Sequence, residues 1–94
     1  MARYVSLIRF TDQGARAMKK SAGRGLGFRQ AAGKAGVKVE AQLWTVGSRD
    51  GVLILSGDEK KILRCLAQLA ALGNVRTETL PAFDAKEFGA LTGR

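Results

Sequence analysis

The chain has 94 residues, 46% of them hydrophobic, with one proline and a net charge of +8. That is the make-up of a single globular domain over residues 1–94, and it excludes a disordered or fibrous chain. A lone cysteine, Cys65, excludes an internal disulfide framework, and the lack of histidine excludes Ser-His-Asp chemistry and histidine-ligated metals.

Tyr4 to Phe10 alternates and is rich in β-branched and aromatic residues, which predicts a first strand. Thr11 and Asp12 supply capping oxygens for a helix over Gln13–Lys20. Ser21-Ala22-Gly23-Arg24-Gly25-Leu26-Gly27 should interrupt that helix, Phe28–Ala35 resume it, and Gly36 end it. The glycine run lacks the dinucleotide spacing and the Gly-Lys-Ser/Thr ending of a phosphate loop, and it follows a helix, so it reads as a flexible break.

Val37, Val39, Ala41 and Leu43 alternate with Lys38, Glu40 and Gln42, the period of a half-buried second strand. Gly47–Gly51 forms a turn, with Asp50-Gly51 a sufficient hairpin signal. Val52-Leu53-Ile54-Leu55 is apolar throughout and makes the third strand. Asp58 caps a second helix whose Ile62, Leu66 and Leu69 share one face, and Gly73-Asn74 stops it. Val75–Leu80 is the last strand, Pro81 ends it, and Asp84–Leu91 reads as a short terminal helix.

The expected class is therefore α+β: a ferredoxin-like βαββαβ domain with a four-stranded antiparallel sheet, strands one and three central, and two helices on one face. Two helices cover one face only, yet the third strand is apolar on both sides, so something must cover the other. A second subunit, a ligand, or the C-terminal segment with Phe83 and Phe88 would serve, and a homodimer through the sheet is the expectation, with higher assembly left open.

The polar residues near that face are the candidate site. Arg76 and Glu78 point the same way and would act as anion clamp and carboxylate base, or form an exposed ion pair. Trp44, grouped with Lys38, Glu40 and Gln42 by alternation, would stack on a ligand or pack at an interface. Asp50 is a base at the mouth of the site or simply the turn residue. Cys65, beside Leu66, reads as a small buried hydrophobe. The ligand would be small and anionic; no cofactor and no metal are expected. Ten of the sixteen Lys/Arg fall within residues 1–49 against only Asp12 and Glu40. Sheet-face RNA binding is not expected, because the third strand has no aromatic. The basic first helix, with Lys19, Lys20, Arg24, Arg29 and Lys34, offers an electrostatic alternative. The interrupted N-terminal stretch does not read as a signal peptide, no apolar run approaches a membrane span, and a cytoplasmic location is the default.

Three blocks of the sequence, Tyr4–Gly14, Trp44–Gly47 and Leu72–Leu80, together resemble the GYD-domain proteins, short bacterial proteins similar in plan to the dimeric α/β barrels. The resemblance covers nearly the whole chain and implies that fold and dimerisation through the sheet. It brings no activity with it; relatives by fold include small-molecule oxygenases and lyases. The name-giving motif aligns on Gly47-Ser48-Arg49-Asp50, so Arg49 stands where a tyrosine is expected and joins the candidate residues.

Overall fold

A computed structural model describes residues 1–93. Its strands are β1 (Ala2–Phe10), β2 (Lys38–Trp44), β3 (Gly51–Gly57) and β4 (Val75–Pro81). Its α-helices are α1 (Asp12–Arg16), α2 (Ser21–Lys34), α3 (Glu59–Ala71) and α4 (Ala85–Leu91), with a 3-10 turn at Met18–Lys20. The strands form one antiparallel sheet in the order β2-β3-β1-β4, with β1 and β3 central. Sequence-adjacent β2 and β3 pair directly, whereas β1 finds its neighbours only through long-range contacts.

The caps are where short polar residues and glycines require them. Thr11 accepts from Gly14 N–H at 3.1 Å, and Asp58 accepts from Lys61 N–H at 3.1 Å, each satisfying an orphan donor of a first helical turn. Beyond α2 and α3, Gly36 and Gly73 take φ of +87° and +83°, the left-handed conformation that closes a helix without a Cβ clash.

The helix break is not at the glycines. It falls at Ala17 and the 3-10 turn, while α2 runs unbroken through Gly23, Gly25 and Gly27. Tertiary contacts override local propensity here. Arg24 donates to the Ala17 carbonyl at 2.8 Å and stabilises the corner. A Cβ on Gly25 would sit 2.9 Å from Trp44 Cη2, so the close approach of α2 to β2 needs that glycine. Gly23, Gly27 and Gly33 have open space and no such reason, and each costs about 0.8–1.0 kcal/mol of helix stability relative to alanine.

One face of the sheet holds the core. Ile8, Leu53, Leu55, Val39 and Val75 are buried together with Ala32 of α2 and Ile62, Cys65 and Leu66 of α3. Buried Ser6 on the same face is satisfied by Thr79, hydroxyl to hydroxyl at 3.0 Å. The β2–β3 hairpin loop spans residues 45–50; Asp50-Gly51 is not its tip, and Gly51 is a buried strand residue paired with Ile8. Of the two turn glycines only Gly47 has positive φ, at +153°.

Helix α4 stands apart. Its capping box is complete, with Asp84 and Glu87 each bonding the other's backbone N–H at 2.8 Å, but it makes only slight contact with any other element. The radius of gyration, 14.0 Å, exceeds the about 12.4 Å of a compact chain of this length. Phe83 and Phe88 are 49% and 56% exposed, so this segment does not bury its aromatics in the body of the chain. An ion pair between Arg3 and Glu87 at 2.8 Å helps tether it. The Asp84 N–H, first, and then Arg3 hold the Glu87 carboxyl below the ordinary carboxylate range. A depressed folded-state pKa means stabilisation that is full above the unfolded pKa and lost as pH falls through the folded one. Protection of the amides of residues 85–91 against exchange, relative to the unfolded chain, should therefore fall on acidification below that range while protection in α3 is unchanged; pH-independent protection in α4 would contradict the tether.

Candidate functional site

The alternation of β1 and β3 assigns side chains to two faces. Tyr4, Ser6, Ile8 and Phe10 look toward the helices; Arg3, Val5, Leu7 and Arg9 look away. On β3, Leu53 and Leu55 are buried, while Val52 and Ile54 belong to the open face. Strand β4 follows: Val75, Thr77 and Thr79 inward, Arg76, Glu78 and Leu80 outward.

Strand β2 changes face partway. The pairing steps from Val39↔Leu55 to Ala41↔Ile54, a bulge at Glu40. Below it Val39 is inward; above it Gln42 and Trp44 are inward and Ala41 and Leu43 outward. Uninterrupted alternation would group Trp44 with Lys38 and Glu40; the extra residue moves it to the opposite face. Its indole N–H donates to Ser21 Oγ at 2.9 Å, and Gln42 donates to the Gly25 carbonyl at 2.9 Å, both across to α2. Trp44 is thus the wall of a small apolar cleft of about 70 Å³ between α2 and the sheet, with Phe10, Phe28 and Leu53. It is not at the rim of the open face.

The open face carries Val5, Leu7, Val52, Ile54, Ala41, Leu43 and Leu80, all at least partly exposed, with Leu43 at 60% and Leu80 at 45%. Nothing among the described residues covers it. At one end stand the remaining candidates. Arg49 reaches from the hairpin loop to Glu78, Nη2 to Oε1 at 2.6 Å, across the position of β1. Arg76 does not pair with Glu78. It lies directly opposite Arg9 in the β1–β4 ladder, on the same face. Two like charges at paired positions repel, and the nearby carboxylate is committed to Arg49. Arg9 was not among the sequence candidates; its signal, an arginine alternating with Leu7 and Val5, becomes legible only once the register is known.

Asp50 has a backbone role. Its carboxylate accepts from Phe10 N–H at 2.7 Å, and its own N–H donates to the Ile8 carbonyl at 2.7 Å, closing the end of β1 beyond the β3 ladder. Cys65 is 7% exposed on α3, packed in the core. No three metal-ligating side chains cluster among the described residues, and none of their helices is long and apolar enough to cross a membrane.

On comparison with known proteins, a family model described as the GYD domain matches residues 4–92. No curated protein and no solved structure matches the chain.

Proposed function

The chain belongs to the GYD-domain family, and from that premise we propose that it works as a ferredoxin-like homodimer, a dimeric α/β barrel, holding a small anionic ligand between the open sheet face and the partner. The carrying observation is a single face that is apolar at its centre and ends in an arginine pair, Arg9 and Arg76, that makes no ion pair among the described residues. Full burial of a Leu, Ile or Val side chain is worth about 1.5–3 kcal/mol, so pairing two such faces recovers stabilisation that one chain leaves in water. Sheets packed face to face lie about 10 Å apart, which lets the apolar centres interdigitate and encloses the arginine ends. Inside such an enclosure an anion relieves the repulsion between Arg9 and Arg76 and accepts their hydrogen bonds.

The alternative of a cofactor-independent, oxygenase- or lyase-like barrel enzyme gains little from this geometry. Both carboxylates that would serve as base are engaged, Asp50 by Phe10 N–H and Glu78 by Arg49. Electrostatic association of the basic first helix with nucleic acid has one observation in its favour, the lack of any Asp or Glu between residues 13 and 39. That binding would weaken steeply with salt.

Native mass spectrometry before and after denaturation tests the reading. The expected result is a dimer with additional non-covalent mass of an anion, an Arg76→Ala dimer without that mass, and an Ile54→Asp monomer. A bare monomer for the unaltered chain would overturn the dimer, and mass retained by Arg76→Ala would remove the anion site from this face.

A further inference from the structure

A second cleft lies on the helix side, away from the open face. It runs between α2 and α3 and has a volume of about 370 Å³; Phe28, Ala31, Cys65, Leu69 and Leu72 give it apolar walls, and Arg24, Gln68 and Asn74 are its polar groups. Phe28, Leu69 and Arg24 also line the small cleft beneath α2, so these three side chains separate two apolar spaces.

Arg24 is the charged group common to both. It is partly buried, donating to the Ala17 carbonyl at 2.8 Å and, through a long 3.5 Å contact, to the Gly14 carbonyl. A guanidinium has five donors, and these two contacts leave others for a ligand. The two ion pairs among the described residues, Arg3–Glu87 and Arg49–Glu78, both lie elsewhere. The segment that carries Arg24 has one sign of charge, since residues 13–39 hold seven Lys/Arg and no Asp or Glu. Helix α2 buries only Ser21 and Ala32 and is tied to β2 by the Trp44–Ser21 and Gln42–Gly25 bonds, while Gly23, Gly27 and Gly33 face open space.

We propose that the α2–α3 cleft binds a small apolar monocarboxylate, its carboxylate on Arg24 and its hydrocarbon or aromatic body against Phe28 and Leu69. One guanidinium fits one carboxylate in a bidentate pair, and apolar walls select the rest of the molecule. The site shares no residue with the open face and does not depend on dimerisation.

Cys65, the only cysteine, lies in the wall of the cleft and reports on it. The experiment follows labelling of Cys65 by N-ethylmaleimide in the presence of octanoate or of 1-octanol, in the unaltered chain and in Arg24→Gln, Arg24→Lys and Ile54→Asp. Octanoate is expected to slow labelling about tenfold when present at about ten times its Kd, because the bound form must release its ligand before the thiol is reached. Octanol should protect far less, Arg24→Gln should erase the difference, and Arg24→Lys should keep part of it. Protection should persist in Ile54→Asp, which separates this site from the one on the sheet. Equal protection by octanoate and octanol, undiminished protection in Arg24→Gln, or no protection at millimolar octanoate would overturn the proposal.

Discussion

Replacing Gly14 with alanine is expected to cost about 3–5 kcal/mol, enough to leave a domain of this size marginal or unfolded. Gly14 is buried in α1 against the loop that follows α3. A Cβ there would stand 2.9 Å from the Asn74 carbonyl carbon and 3.2 Å from its Cα, with the Asn74 oxygen closer still. The neighbour is backbone and is held from several sides. Thr11 N–H donates to the Asn74 carbonyl at 3.1 Å, the Thr11 hydroxyl to the Gly73 carbonyl at 2.6 Å, and Gln13 Nε2 to the Leu72 carbonyl and the Asn74 side chain. Making room means breaking some of these, at about 1 kcal/mol each, on top of the overpacking itself, at about 1–3 kcal/mol. Urea unfolding should show a lower midpoint at unchanged slope. Gly27→Ala is the control: its Cβ enters open space in a helix and should stabilise by about 0.4–1 kcal/mol. If the two substitutions behave alike, the close crossing at Asn74 is not a constraint. The crossing also joins two of the blocks through which the sequence resembles its family, Tyr4–Gly14 and Leu72–Leu80.

Leu55→Ala and Ile54→Ala should separate the two faces of the central strand. Leu55 has no exposed surface and sits among the core side chains, so truncation leaves a cavity and costs about 2–5 kcal/mol at any protein concentration. Ile54, the next residue, lies on the open face. Its truncation should cost little at dilutions where the chain is monomeric and progressively more where two sheets are paired, because a dimer's stability is tied to protomer concentration. Unfolding of both variants over a wide range of protein concentration makes the comparison. If Ile54→Ala is as damaging as Leu55→Ala at every dilution, the open face is buried within one chain and needs no partner.

The sequence by itself determined the α+β class and the places of the four strands, of α3 and of the terminal helix, because each rests on local signals. Alternation marked the strands, the Ile62–Leu66–Leu69 stripe marked α3, and Thr11, Asp58, Gly36 and Gly73 marked helix ends through bonds or dihedrals formed within a few residues. It also revealed that the third strand is apolar on both sides. What only the tertiary structure decided are the features set by contacts distant in the chain. The first helical region breaks at Ala17, not at its glycines, because Gly25 is pressed against Trp44 and Arg24 caps the corner. Trp44 faces α2 and not the open sheet because one extra residue at Glu40 reverses every later side chain of β2. The partner of Glu78 became Arg49, and that of Arg76 became Arg9, because strand register, fixed by which faces are buried, chooses neighbours that periodicity along one strand does not contain.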